Sequence, residues 1–154
     1  MNATMLNFDE LAKEIIRVLE ETKTIVFATS QDNKVTARTI NPVNIGLDIY
    51  FGTGNPSPKY QQICANPYVA LATGSIQIEA IAAAEATSVN YPSENPEYSK
   101  KYDIKFPHQA GGLYPPAKDG VIIKCVPTKI TLFKFTDKSY WDTLDIKEKR
   151  AYRE

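Results

Sequence analysis

Asp48-Ile-Tyr-Phe-Gly-Thr-Gly-Asn-Pro-Ser-Pro-Lys-Tyr-Gln-Gln-Ile-Cys-Ala-Asn-Pro67 reads as a strand, a glycine-containing turn and a short helix. Ser57 is a favoured N-cap residue, and Pro58 suits the first helical position, where its missing N–H would be an orphan anyway. The helix, over 58–65, stops at Asn66-Pro67, because a residue before proline is pushed away from helical angles. A helix start offers free backbone N–H groups and the positive end of the dipole, and Lys59 adds a full charge there. Strand, turn, hydroxyl and lysine together suit a phosphate grip. They suit an ordinary capped helix with a solvated lysine equally well, and this stretch alone does not choose. Two nucleotide motifs fail. Gly52-Thr53-Gly54 could begin a dinucleotide fingerprint, but the third glycine falls at Ser57 and no acidic partner is evident further on. A P-loop would end in Gly-Lys-Ser or Gly-Lys-Thr, whereas Ser57-Pro58-Lys59-Tyr60 stands here.

Upstream, Asn7 and Glu10 make a capping arrangement, and Phe8, Leu11, Ile15, Val18 and Leu19 recur at helical spacing, predicting a helix over about 8–21. A strand over 24–30 and a second over 35–45 flank the polar turn Gln31-Asp-Asn-Lys34. Gly46-Leu-Asp48 leads into a third strand over 48–53. Downstream come a fourth strand over 68–73 and a long fifth over 75–89. In the fifth, Ile76, Ile78, Ala80 and Ala82 alternate with Gln77, Glu79 and Ile81, although its alanine run also fits a helix. Between Tyr91 and Asp119 lie five prolines, with one helix starting after Asn95-Pro96. Such a long irregular stretch often covers a site or a partner surface. A last strand over 121–135 is interrupted near Pro127, and a polar tail containing Trp141 closes the reading. Six strands with helices only at the margins predict one small antiparallel barrel, which removes sticky sheet edges. The missing strand–helix alternation argues against a parallel doubly wound sheet.

With 154 residues, 43% hydrophobic and 23% charged, the chain fits a single globular domain over 1–154. Positive and negative side chains balance at 18 each, so no global field recruits nucleic acid or an anionic membrane. A local basic patch therefore favours a small anionic ligand. No apolar run approaches the roughly 20 residues of a membrane span, and the start of the chain lacks the apolar core of a signal peptide. The expected location is the cytoplasm. Cys64 and Cys125 are too few for a disulfide framework or a zinc site and read as buried or half-buried free thiols. His108, the single histidine, sits in a loop-like Phe-Pro-His-Gln-Ala-Gly-Gly run and reads as a surface or loop residue. A haem axial role for it has little support. No metal site is expected.

The order of motifs from Thr24 to Ala72 resembles the pyridoxamine 5'-phosphate oxidase-like, FMN-binding split-barrel family. The matching features are Ala28-Thr29, Arg38-Thr39-Ile40, Tyr50-Phe51-Gly52-Thr53, Ser57-Pro58-Lys59 and Ala65-Asn66-Pro67-Tyr68-Val69-Ala70-Leu71, with Ile78-Glu79 beyond. About half the chain is covered well. The resemblance implies a mainly β, six-stranded antiparallel split barrel of Greek-key type with short flanking helices. It also implies a homodimer with FMN at the subunit interface. By position, Arg38 and Lys59 would neutralise the FMN phosphate, with Ser57 and Thr53 donating hydrogen bonds. Thr39 and Ile40, with Asn41 after them, would run past the flavin ring, and Ser75 falls at a polar contact. One arginine and one lysine balance the nearly two negative charges of a phosphate monoester. Arg38 alone could equally be a solvated residue on an outer strand face, but its match together with Lys59 favours the ligand role.

Departures narrow the function. Asn41-Pro42-Val43 stands where the true oxidases carry a lysine, and the proline removes a ladder N–H, so the strand is bent or at an edge there. Glu148-Lys-Arg-Ala-Tyr-Arg-Glu lacks the arginine–histidine–arginine signature that grips pyridoxamine phosphate, so vitamin B6 oxidation is not expected. The expected function is an FMN-dependent oxidoreductase acting with a small-molecule acceptor or donor. The rival readings are a carrier, sensor or stress protein that binds flavin without turnover, or a barrel holding haem or a deazaflavin. No catalytic side chain is assigned. The segment 91–119, with Tyr98, Tyr102, His108 and Tyr114, is the candidate wall or lid of the substrate side, although most of these tyrosines better suit a core or dimer contact.

Overall fold

A computed structural model describes residues 3–87, 95–108 and 119–154. Among these residues, ten strands form one antiparallel sheet that curls around a main core. The chain begins with β1 (Thr4–Leu6) and α1 (Phe8–Glu21). The α1 N-cap is Asn7, whose Oδ1 accepts the Glu10 N–H at 3.0 Å. Leu11, Ile15 and Leu19 recur on one helical face, and that face is buried. β2 (Ile25–Gln31) and β3 (Lys34–Ile40) form a hairpin whose turn residues, Asp32 and Asn33, both have positive φ, at 51° and 62°. Such backbone angles match the twist of a two-residue hairpin, and Asp and Asn tolerate them.

The strand expected over 35–45 is two strands, β3 and β4 (Val43–Ile45), broken at Asn41-Pro42. Pro42 has no N–H for a ladder, so the chain leaves one strand pair there and joins another. β4 pairs with β5 (Asp48–Gly54), which leads into α2 (Pro58–Ala65). β6 (Tyr68–Thr73) and β7 (Ile76–Thr87) follow, then α3 (Pro96–Lys105) and β8 (Gly120–Phe135). The alanine run of β7 is strand, paired on both sides.

β8 makes the barrel split. One edge pairs with β7 over residues 121–132. The other edge pairs with β5 over residues 120–125, then with β9 (Ser139–Asp145) over residues 129–135. The expected interruption near Pro127 is a bulge in a continuous strand. Ala80 faces Pro127 and Glu79 faces Lys129, leaving Thr128 as the extra residue.

The expected polar tail is instead β9 and β10 (Arg150–Arg153), and β10 also carries β1 on its outer edge. These strands escape a hydrophobic reading because Asp142, only 1% exposed, occupies an inward position. It is held by Arg153 at 2.6 Å and Lys134 at 2.9 Å. The six expected barrel strands are thus present, and the sheet gains its further members from the broken second strand and the two ends of the chain.

Phe27 and Phe51 meet in the main core with ring centroids 4.8 Å apart. A second cluster, built from Val43, Tyr50, Tyr98, Tyr102 and Ile122, fastens α3 onto β4 and β5. Tyr98 and Tyr102 are therefore core residues, while Tyr114 lies outside the described residues. Cys125 is buried as expected, but Cys64 is exposed. It lies near the C-terminal end of α2, whose buried residue is Ile63. His108 is an exposed turn residue.

Candidate functional site

A groove of about 480 Å³ opens where the β3–β4 break faces the start of α2. Thr39, Ile40 and Asn41 form one wall. Thr53, Ser57 and Lys59 line it from the β5–α2 side. Its size lies within the ordinary range for small-molecule and cofactor sites.

The β5–α2 wall is held by its own hydrogen bonds. Ser57 Oγ caps α2 by accepting the Tyr60 N–H at 3.3 Å and lies 3.0 Å from Thr53 Oγ1. Pro58 takes the first helical position, so Lys59 supplies the first N–H without an intrahelical acceptor. A helix start of this kind attracts anions. Burial, and then the charge of Arg38, push the Lys59 pKa below its ordinary value.

Arg38 lies behind this wall, between β3 and α2. Its guanidinium donates to Thr29 Oγ1 and Thr36 Oγ1 at 2.8 Å, to Gln62 Oε1 at 3.0 Å and to the Phe27 carbonyl at 3.3 Å. All four acceptors are neutral. Among the described residues, no carboxylate forms an ion pair with Arg38 or Lys59. Two neighbouring cations without a counter-ion favour an anion electrostatically.

The structure thus brings Thr39, Ile40, Asn41, Thr53, Ser57 and Lys59 to one groove. Arg38 does not line it, although its charge is felt at Lys59. Ser75 stands apart, exposed in the β6–β7 turn, where its carbonyl accepts the Phe133 N–H at 2.7 Å. Gly52, Gly54 and Gly120 also line the groove and were not singled out by sequence reasoning as site residues. The two glycines of Gly52-Thr53-Gly54 fail as a nucleotide fingerprint but still leave backbone bare along one wall. Tyr102, one of the tyrosines expected on the substrate side, also lines the groove. Among the described residues, no cluster of three or more His, Cys, Asp or Glu could hold a metal ion.

No protein-family model matches the sequence, and no curated protein matches it either. Solved structures do share its architecture. The general stress protein 26 of Bacillus anthracis is 22% identical, with a TM-score of 0.61 over 79% of this chain and 92% of that one. A pyridoxamine 5'-phosphate oxidase-related, FMN-binding protein of Nostoc punctiforme is 13% identical, with a TM-score of 0.59 over 95% of this chain and 93% of that one. An FAD-binding protein of Mesorhizobium loti, also 13% identical, has a TM-score of 0.59 over 84% and 96%. The fold is that of the pyridoxamine 5'-phosphate oxidase-like split barrels.

Proposed function

We propose that this protein is an FMN-binding oxidoreductase of the split-barrel class, working as a cytoplasmic homodimer. The observation that carries the reading is the pair of cations, Lys59 and Arg38, that meet no carboxylate among the described residues beside a groove of flavin size. The FMN phosphate would sit on the α2 start, held by Lys59 and the Ser57 and Thr53 hydroxyls, with Arg38 adding charge from behind. Thr39, Ile40 and Asn41 would flank the ring system, and Tyr102 would bound its far side. When bound, the isoalloxazine supplies the electron transfer, so the protein needs no nucleophile and contributes position, exclusion of water and nearby donors. The similar folds of FMN- and FAD-binding proteins support the flavin class.

The homodimer has its own support. The outer faces of neighbouring strands expose Val35 at 71%, Tyr68 at 68%, Val126 at 44%, Val26 at 43% and Ile81 at 41%. Thr39 faces Val26 across the β2–β3 pair and also lines the groove, so this apolar face and the groove adjoin.

The test is titration of the purified chain with FMN and with riboflavin, followed by flavin fluorescence and by reduction with NADH or NADPH. Tight FMN binding, weak riboflavin binding and nicotinamide-driven reduction are expected. Equal affinity for the two flavins would remove the phosphate grip. Binding without reduction by either nicotinamide would leave a flavin carrier in place of an oxidoreductase.

A further inference from the structure

Three lysines converge where the C-terminal ends of α1 and α3 meet β4. Lys23, Lys101 and Lys105 line a cavity of about 320 Å³ there, together with Val43, Asn44 and Ile104. Lys23 Nζ donates to the Lys105 carbonyl at 2.9 Å, and Lys101 Nζ to the Asn44 carbonyl at 3.0 Å. Lys105 Nζ donates to the Leu19 carbonyl at 3.1 Å and the Pro42 carbonyl at 2.9 Å. Lys23 and Lys105 also lie over one ring, 5.6 Å and 5.9 Å from the Phe106 centroid. An ammonium has three N–H groups, so each of the three keeps at least one beyond these bonds. Glu20, exposed on α1, is the acidic residue at the cavity, and no described carboxylate forms an ion pair with any of the three lysines.

We infer that Lys23, Lys101 and Lys105 form a second anion site, suited to the phosphate group of a small molecule. Helix capping accounts for Lys105 at the Leu19 carbonyl and Lys23 at the Lys105 carbonyl, whereas Lys101 reaches across to the Asn44 carbonyl of β4 and brings a third charge to the cavity. Their crowding has a cost. Burial, then the charge of Lys23, bring the Lys105 pKa down to about 8, with Lys101 adding to the repulsion and Glu20 opposing it. The β4 residues at the cavity, Val43 and Asn44, are uncharged. A dianion would relieve this repulsion. The balanced net charge of the chain favours a small anion over a polyanion.

The cavity shares its walls with the groove. Asn41 and Tyr102 line the groove, while Val43, Asn44 and Lys101 line the cavity, so the 41–44 segment and α3 divide the two. The anion site therefore adjoins the groove but does not rest on the flavin reading.

The experiment is a titration of the flavin-free full chain with inorganic phosphate, followed by amide NMR. Saturable shifts are expected at residues 19–23 and 101–106, separate from any at residues 57–60. In the double variant Lys23→Gln, Lys101→Gln the first set should need at least tenfold more phosphate, while the second is unchanged. Lys59→Ala should do the reverse. Calorimetry in two buffers near pH 8 should show proton uptake on binding as Lys105 recharges. No shift at residues 19–23 and 101–106, or an unchanged midpoint in the double variant, would overturn the site. Loss of FMN binding with these shifts intact would instead fault the flavin reading alone.

Discussion

Lys59 and Asp142 are charged residues in opposite situations, and each makes a prediction. Lys59 has a like-charged neighbour and meets no carboxylate among the described residues. A hydrogen bond to a charged group contributes about 1.5–3 kcal/mol, so Lys59→Ala should weaken FMN about ten- to hundredfold. Riboflavin affinity should not move. A parallel loss for both flavins in a fluorescence titration would mean that Lys59 supports the ring or the fold, not the phosphate. Asp142 is buried among partners. Burial works against its charge, but the bonds from Arg153 and Lys134 prevail and hold its pKa below the usual carboxylate value. Its stabilisation is therefore present above the unfolded carboxylate range and lost as pH falls toward the folded value. Arg153 and Lys134 are part-exposed and can be rehydrated when Asp142 is removed, so the loss is that of hydrogen bonds to a charged group, about 1.5–3 kcal/mol. Asp142→Ala should show a loss of that order by denaturant unfolding at pH 7, and a smaller one near pH 3.

Among the elements, those with a period were legible and those whose buried face is charged were not. α1 announced itself through Asn7, Glu10 and the Leu11–Ile15–Leu19 stripe. α2 was bracketed by Ser57-Pro58 and Asn66-Pro67. β9 and β10 gave no such signal, because Asp142, Lys134 and Arg153 replace apolar contacts with ion pairs. The β3–β4 break carried a proline, so a bend was foreseeable, but its role as a groove wall depends on α2 lying opposite, which no local pattern reports. α3 was visible as a helix start at Asn95-Pro96, yet its attachment through Lys105 was not. That attachment is testable. The folded pKa of about 8 lies below the ordinary 10.5. Between those values the unfolded chain holds the proton and the folded chain does not, so stability should rise with pH across that window. The melting temperature of the wild type, measured against Lys105→Met, should gain from pH 8 to pH 10.5. A constant difference would show that Lys105 keeps its charge in the folded state.

For the molecule as a whole, the split in the barrel leaves the outer faces of β2, β3, β6, β7 and part of β8 as one continuous surface. On it lie Val26 and Val35 of the β2–β3 hairpin, and Tyr68, Ile81 and Val126, the last three each opposite the next in register. A row of exposed branched and aromatic side chains across several strands is more than scattered surface apolarity, and patches of that kind mark association sites. A stable homodimer buries roughly 800 Å² on each partner, which a surface this wide can supply. Tyr68 sits in the middle of the row at 68% exposure, so its replacement costs the isolated chain little. Tyr68→Glu should therefore leave the melting temperature of a monomer unchanged while placing two like charges in the dimer interface. Sedimentation velocity should give a dimer for the wild type at micromolar concentration and a monomer for the variant. Because Thr39 joins this face to the groove, FMN affinity should fall with the dimer. A wild type that sediments as a monomer at all concentrations would remove the dimer. A monomeric variant that binds FMN as tightly as the wild type would confine the site to one chain.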